Sequence, residues 1–192
     1  KRNAGVVGEC TYTDAAGPNE ALPVSCISFA LAERYCESKQ GRLPTEAQFE
    51  FVAGGRNSQR YPWGAEDPAC GDAVFARVDV VSAQANLGVQ AVCSSVGVGP
   101  AARGAGLRDA LSLTGGTIFD VAGNLAEWTL DAWQAFGQSC WGAGLAIDPL
   151  CESSPDAPRA VRGGGWTYIA FHSRSTAREP LAPTKLSSAV GF

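Results

Sequence analysis

The chain has 192 residues, of which 45% are hydrophobic and 18% charged, and its formal net charge is −4. This length fits one domain with a sizeable core, and the composition excludes an intrinsically disordered chain. An acidic chain without a run of Lys or Arg lacks the electrostatic footprint of a nucleic-acid-binding protein, and no stretch reaches the ~18 apolar residues of a membrane span. We therefore expect a globular domain that neither binds nucleic acid nor spans a membrane.

The first predicted helix lies in the segment SFALAERYCES, where Ser28 is a suitable N-cap residue. Apolar residues recur there at the spacing of one helical face. The residues predicted on that face are Phe29, Ala32 and Cys36, with Leu31 and Tyr35 alongside.

The second predicted helix follows directly, in TEAQFEFVAGG. Thr45 with Gln48 three residues later has the pattern of a capping box, and the glycine pair at 54–55 predicts the end of the helix. Phe49, Val52 and Ala53 share its apolar face. A tight turn is predicted next, at residues 61–64.

The rest of the sequence, after this turn, predicts loops and short strands. Between residues 70 and 110 we expect loops with brief strands at 79–81 and 96–98. Strands are then predicted at 117–121 and 126–130, on either side of a turn at 122–124, and a hairpin pairing 160–162 with 164–168. Two helices and many irregular strands indicate a single, loop-rich α+β domain over residues 1–192.

Seven cysteines in a chain with 23 glycines indicate an oxidising compartment, with a cytosolic protein carrying buried thiols as the alternative. Spacing alone leaves the connectivity open. We predict that successive cysteines along the chain form disulfides with each other, and that Cys36 has no partner among them. The predicted bridges are Cys10–Cys26, Cys70–Cys93 and Cys140–Cys151.

Three blocks of sequence carry a resemblance to a known family. They read GRLPTEAQFEFVAGG followed by YPWG, then FDVAGNLAEWTLD, then VRGGGW followed by Arg174-Ser175, Ala177-Arg178 and VGF. In this order they resemble the signature of the formylglycine-generating enzymes, or sulfatase-modifying factor domains. The resemblance implies that family's variant of the C-type-lectin fold.

The resemblance also implies where the family's reactive centre would lie. Members oxidise a substrate cysteine with copper held by two thiolates in the last block. Here Tyr168 takes the place of the first thiol, and the second falls near His172 or Ser173. No cysteine follows Cys151. Because Cu(I) prefers soft thiolate ligands, we expect neither copper binding nor catalytic residues.

A calcium site is predicted in the second block. Asp120 and Glu127 lie seven residues apart across a glycine turn, and carboxylates with backbone carbonyls are the ligands that calcium prefers. The resemblance implies that the ion is held by the Asp120 side chain, the carbonyls of Gly123 and Leu125, and the Glu127 side chain. We expect this ion to be structural.

The resemblance further suggests that the chain is a fragment. In the family, the cysteine matching Cys36 bridges to one just after a Gly-Phe-Arg motif, whereas this chain ends at Phe192. The family's opening strands would precede Lys1. We therefore expect the partner of Cys36 to lie beyond the segment at hand.

Arginines within the blocks are expected to have structural roles. We predict that Arg42, Arg162 and Arg178 hold backbone carbonyls and the carboxylates of Glu46 and Glu127, rather than a substrate.

Three functions are compatible with this sequence. The leading one is a non-catalytic, calcium-stabilised module, secreted or periplasmic in a bacterial cell envelope, that binds a peptide, a protein or a small molecule. The alternative is a sulfatase-modifying oxidase that converts a substrate cysteine to formylglycine. The third is a retroelement-diversified binding protein, because residues 167–172 are types that mutation of an Asn codon can produce.

Overall fold

The computed structural model describes residues 10–13, 15–78, 92–142 and 147–192. Within these ranges the chain forms two α-helices and six short strands, joined by loops and three short 3-10 turns. The helices are α1 (Phe29–Ser38) and α2 (Glu46–Gly54). The strands are β1 (Ala110–Leu113), β2 (Gly116–Phe119), β3 (Ala126–Ala132), β4 (Arg159–Arg162), β5 (Arg178–Leu181) and β6 (Val190–Gly191). The predicted loop-rich α+β class is confirmed, whereas the strand predicted at 79–81 lies outside the described residues.

Both helices begin where their capping residues predict. Ser28 accepts a hydrogen bond from the Leu31 N–H, and the Thr45–Gln48 capping box is formed in both directions. These bonds satisfy backbone N–H groups that have no partner within the first helical turn. The start of each helix is thus set by local chemistry.

The buried face of α1 is narrower than predicted. Phe29 and Ala32 are buried, but Leu31 is 52% exposed and Tyr35 51% exposed. Leu31 and Tyr35 lie one residue before the buried stripe, about 100° around a helix of 3.6 residues per turn. They face an apolar cleft of about 900 Å³ that Tyr12, Val24 and Phe192 also line.

The main sheet has the strand order β5-β4-β3-β6 among the described residues. β4 runs antiparallel to both β3 and β5, and β6 is parallel to β3. Trp128 on β3 is fully buried, packs edge-on against Phe29 of α1, and donates a hydrogen bond to the Ile27 carbonyl. The principal core therefore lies between α1 and the centre of this sheet.

The predicted hairpin of residues 160–162 with 164–168 is wrong, because β4 pairs instead with β3 and β5. Gly163 and Gly164 have φ values of +88° and +71°, which turn the chain away from the strand direction. A Cβ on Gly164 would lie 2.8 Å from the carbonyl oxygen of His172. Residues 164–168 consequently form turns against the segment that follows them.

Strands were predicted at 117–121 and 126–130, and β2 and β3 lie there. β2 pairs with β1 in a separate two-stranded hairpin. β1 had no counterpart among the predicted strands. Residues 96–98 are not a strand either, since a 3-10 turn ends at Val96 and Gly97 has a φ of +125°.

The predicted cysteine pairing is confirmed in all three bridges. Cys10–Cys26, Cys70–Cys93 and Cys140–Cys151 form disulfides. Cys36 is a free thiol on α1, and burial raises its pKa. Three disulfides are typical of proteins from oxidising compartments.

Candidate functional site

The turn from Asp120 to Glu127 is pinned to a neighbouring segment by its glycine. Gly123 has a φ of +106°, and a Cβ there would lie 2.6 Å from the Val74 carbonyl oxygen. Its N–H donates to the Gly163 carbonyl, and the Asn124 N–H donates to Val74. Only a residue without a side chain fits this close approach of two backbones.

Side chains of the turn fix a second loop. The Asn124 amide binds the backbone of Ala101 in both directions, accepting from its N–H and donating to its carbonyl, each at 3.0 Å. The Asp120 Oδ2 accepts from the Gly104 N–H at 2.9 Å. The turn is therefore held rigidly between two loops, as a site for an ion requires.

Burial and mutual repulsion disfavour the ionised carboxyl groups of the turn, although hydrogen bonds and the charge of Arg103 act the other way on the pKa of Asp120. Within the described part of the chain, Asp120 Oδ1 is buried without a hydrogen-bond partner. Burial raises the pKa of Asp120. Burial, and then the charge of Asp120, raise the pKa of Glu127 to about 7. The two carboxyl groups thus repel each other in partly buried positions.

Asp109 is a third carboxyl group at this place, and no sequence motif had singled it out. Its Oδ2 accepts from the Ala122 N–H at 2.9 Å. Burial is the main cause that raises its pKa to about 7, and the charges of Asp120 and Glu127 add to the effect. The signal available in the sequence was a lone aspartate immediately before an apolar strand, which is too common to predict a site.

The calcium ligands stay a prediction, with which the partly buried, mutually repelling carboxyl groups of this turn agree. No group of three or more His, Cys, Asp or Glu side chains is close enough to hold a metal among the residues that the structure describes. A set of two carboxylates and two backbone carbonyls does not need such a group. Asp120 and Glu127 would supply the charge, Gly123 and Leu125 the carbonyls, and the ion would compensate the buried repulsion.

The last block contains a different set of side chains where the resemblance places two thiols. The rings of Tyr168 and His172 lie 5.0 Å apart, and His172 Nδ1 is 2.9 Å from Glu179 Oε1. That contact is an ion-pair distance without hydrogen-bond geometry. Ser173 is buried beside them. Burial, and then the charge of Glu179, raise the pKa of Tyr168.

Arg162 and Arg178 form a buried network with Glu46, as predicted. Arg178 donates to both Glu46 oxygens, and Arg162 lies 3.5 Å from Glu46 Oε2. Arg162 also donates to Glu50 and to the carbonyls of residues 175 and 176. These contacts assign both arginines to the scaffold.

Two parts of the arginine prediction are not met. Arg42 is exposed on the surface. Arg162 faces Glu127 across the β3–β4 ladder, but its guanidinium turns to Glu46 and Glu50. No arginine forms an ion pair with Glu127 in the described ranges.

An aromatic-walled cavity of about 360 Å³ lies beside α2, and we name it the α2 pocket. Phe51 and Phe136, which face it, are 61% and 71% exposed. Arg178 lies under Phe136 and Trp141 at 4.7 and 5.4 Å from the ring centroids. The lining residues that carry its chemistry are Glu46, Glu50, Phe51, Phe136, Trp141 and Arg162. Exposed aromatic rings in a concave surface are typical of ligand sites.

Comparison with known families supports the resemblance. Residues 7–192 match the domain described as "Sulfatase-modifying factor enzyme 1-like domain". The chain is 28% identical over 193 residues to "Inactive C-alpha-formylglycine-generating enzyme 2" of Bos taurus, covering 94% of this chain and 54% of the relative. It is 30% identical over 176 residues to "Formylglycine-generating enzyme" of Thermomonospora curvata, covering 88% and 54%. The chain thus spans about half the length of these curated relatives.

Solved structures agree on the fold. "Structure of PvdO from Pseudomonas aeruginosa" superposes with a TM-score of 0.66 at 21% identity, covering 90% of this chain and 60% of the other. "Treponema denticola variable protein 1" gives 0.66 at 19% identity, covering 95% and 74%. At this level of identity the likeness shows the fold alone, and it confirms the predicted architecture.

Proposed function

We propose that this chain, which belongs to the sulfatase-modifying factor enzyme 1-like domain family, is a non-catalytic, calcium-stabilised binding module. The observation that carries the proposal is the state of its thiols. Six of the seven cysteines are bound in disulfides, so the chain holds a single free thiol, Cys36. The chain therefore offers one free thiol, whereas a copper centre of the family's kind would need two.

The residues in the place of the two thiols do not replace them. Tyr168 and His172 offer a phenol and an imidazole, and neither is the soft sulfur ligand that Cu(I) prefers. His172 lies against Glu179, and the two form an ion pair when His172 is protonated. Cys36 lies on α1, far in sequence from residues 168–173, and it packs against the principal core.

The second part of the proposal is that calcium stabilises the domain. The ion would be held by the Asp120 and Glu127 side chains with the Gly123 and Leu125 carbonyls. It supplies positive charge to a turn that joins two loops, so its role there is structural. The buried Asp120 oxygen and the raised pKa of Glu127 favour a cation at this position.

The ligand class follows from the surfaces that remain open. The α2 pocket offers exposed aromatic rings with a carboxylate at its side, which suits a peptide, a protein side chain or a small molecule. Its arginines are engaged with Glu46 and Glu50, so the pocket has no free cation among the described residues to hold a nucleic-acid phosphate.

The three disulfides support a location outside the cytosol, and we propose a secreted or periplasmic protein of a bacterial cell envelope. No helix in the described ranges is long and apolar enough to cross a bilayer. Fractionation of the native host, with an antibody to this domain, tests the location. Recovery only with the cytosol would overturn it.

The decisive experiment loads the disulfide-bonded protein with Cu(I) and with calcium, and offers it a Cys-x-Pro-x-Arg peptide. We expect bound calcium, no stoichiometric copper and no formylglycine. The formylglycine-generating enzyme of Thermomonospora curvata serves as the positive control. Copper uptake with product formation would establish the alternative, an oxidase, and overturn the proposal.

A matched variant tests the stated reason for inactivity. Tyr168→Cys combined with either His172→Cys or Ser173→Cys restores a thiol pair at the place given by the resemblance. We expect at least one pair to bind Cu(I) while the wild type does not. If neither pair gains copper under conditions that keep the protein folded, the loss of thiols is not what separates this chain from its active relatives.

The third function, a diversified binding protein, rests on residues 167–172. Phe171 within that segment is half-exposed and lies 4.5 Å from the Arg174 guanidinium carbon. An exposed aromatic next to an arginine is a common contact of protein interfaces. A variable-template repeat beside the gene would support this function, and a gene whose copies are invariant over 167–172 would exclude it.

A further inference from the structure

We infer that Asp109 belongs to the cation site as an outer carboxylate, and that the ion thereby fastens the β1–β2 hairpin to the domain. This inference rests on the calcium site proposed above. Asp109 lies outside the predicted ligand set. The ion would gain a second role, which is to hold the β1–β2 hairpin against the domain.

The hairpin begins and ends at the site. Asp109 immediately precedes β1 and Asp120 immediately follows β2, and the Asp120 N–H donates to the Asp109 carbonyl at 3.2 Å. The strands pair in register from Ala110 with Phe119 to Leu113 with Gly116. Asp109 and Asp120 therefore both lie at the base of the β1–β2 hairpin.

Beyond that base the hairpin has little support. In the described part of the chain, β1 and β2 pair only with each other. Leu113 is half-exposed and Ile118 is 39% exposed. At the base, Phe119 contacts the Arg103–Gly104 loop, with the Arg103 guanidinium carbon 5.3 Å from its ring. An isolated two-stranded hairpin is only marginally stable in water, so its order depends on how the base is held.

The Asp109 side chain is enclosed and half-satisfied. The residue is 1% exposed, and its Oδ2 accepts from the Ala122 N–H. Its Oδ1 is buried without a hydrogen bond of good geometry among the described residues, although the nearby Val121 N–H acts to lower the pKa of this carboxyl group. A buried carboxylate oxygen that lacks a donor is costly unless a positive charge lies near it. No side-chain cation contacts Asp109 in the described ranges, and an ion at the neighbouring turn would supply that charge.

Asp109 is bonded to the turn that carries the predicted ligands. Its Oδ2 accepts from the Ala122 N–H, and its carbonyl oxygen accepts from the Asp120 N–H. A cation held by this turn would therefore have the Asp109 carboxylate as a neighbour. Asp109 would thus add its charge to the two predicted side-chain ligands.

Asp109 is assigned to the outer sphere because three carboxyl groups do not converge at ligand distance in the described residues. Calcium sites commonly include an oxygen that acts through a bound water. Outer carboxylates of this kind orient ligands and tune affinity. Asp109 can do both, since its Oδ2 holds the Ala122 N–H of the turn.

The test measures calcium affinity and hairpin order in the same protein. Calcium is titrated calorimetrically into the wild type, Asp109→Asn and the control Asp156→Asn, an exposed aspartate. We expect the affinity of Asp109→Asn to fall about 10- to 100-fold, as for other outer-sphere ligands, and that of the control to stay unchanged. Amide hydrogen exchange over 110–119 should slow on adding calcium in the wild type, and less so in Asp109→Asn.

A thermal melt in calcium-free buffer at pH 8 separates this role from a structural one. Removing a buried, repelled charge should leave Asp109→Asn at least as stable as the wild type. If the variant melts lower or fails to fold there, Asp109 is a structural hydrogen-bonding residue and the inference is wrong.

The two proposals can fail separately. If the wild type binds calcium but Asp109→Asn matches it in affinity and in hairpin exchange, the inference fails while the calcium site stands. If the wild type binds no calcium, both fail.

Discussion

At the residue scale, Asp109 and Glu127 have carboxyl pKa values raised to about 7. In the calcium-free protein the folded state therefore keeps protons that the unfolded chain releases near pH 4. Folding stability is consequently lost as the pH rises from about 4 to about 7. Calcium binds the ionised groups, so its stabilising effect should grow over the same interval.

The expected result is a lower melting temperature at pH 8 than at pH 5 without calcium, and a larger calcium-induced rise at pH 8. Differential scanning calorimetry with and without chelator measures both. Glu127→Gln should flatten the pH dependence and reduce the calcium effect. A calcium effect that is equal at the two pH values would contradict the assignment of these carboxylates.

A second residue-scale prediction concerns the arginine network. Arg162 is 1% exposed and binds two carboxylates and two carbonyls. Arg162→Met leaves Glu46 with fewer donors in a buried position, and breaking such a pair costs about 3–5 kcal/mol. Urea unfolding measures the loss, and Arg42→Met is the exposed control, expected within about 0.5 kcal/mol of wild type. Equal stabilities of the two variants would show that the network adds nothing.

At the element scale, the turn between β2 and β3 depends on Gly123. Gly123→Ala introduces a Cβ 2.6 Å from the Val74 carbonyl oxygen at a φ of +106°. We expect a loss of about 1–3 kcal/mol, the usual cost of a residue held in an unfavoured backbone region. Because its carbonyl is a predicted ligand, calcium stabilisation should weaken as well.

Gly115→Ala at the hairpin tip is the matched control. A Cβ at Gly115 meets nothing within 4 Å. It should unfold like the wild type and keep the calcium effect. Should both alanine variants behave alike, the close approach to Val74 does not constrain the turn.

At the scale of the whole molecule, the disulfides compensate for the scarcity of regular structure. Cys140–Cys151 closes a short loop, with a sequence separation of 11, and ties the 3-10 turn Ser139–Trp141 to the segment before β4. Replacing both cysteines by serine should cost about 3 kcal/mol in the chain-entropy account. Urea denaturation measures this loss.

Cys36→Ser provides the comparison, because Cys36 is free in the described structure. We expect a much smaller change for Cys36→Ser than for the paired serine variant. A larger loss for Cys36→Ser would mean that the core around α1, rather than the bridges, limits stability.

Much of this molecule follows from short stretches of sequence. The helix starts at Ser28 and Thr45 depend on side chains that bond backbone groups three residues away. The disulfides join cysteines that are neighbours in sequence, at separations of 11 to 23. The family blocks are contiguous as well. The sequence alone was therefore enough for the helices, the bridges, the fold class and the missing thiol pair.

Long-range contacts decided the rest. β4 pairs with β3 and with β5, and β5 follows it only after the turns at 163–177. Leu31 and Tyr35 look apolar enough for a core, yet they line an open cleft. Asp109 becomes a buried carboxylate only because the hairpin returns to Asp120. Strand pairing and burial depend on segments distant in sequence, and no local pattern encodes which of them will meet.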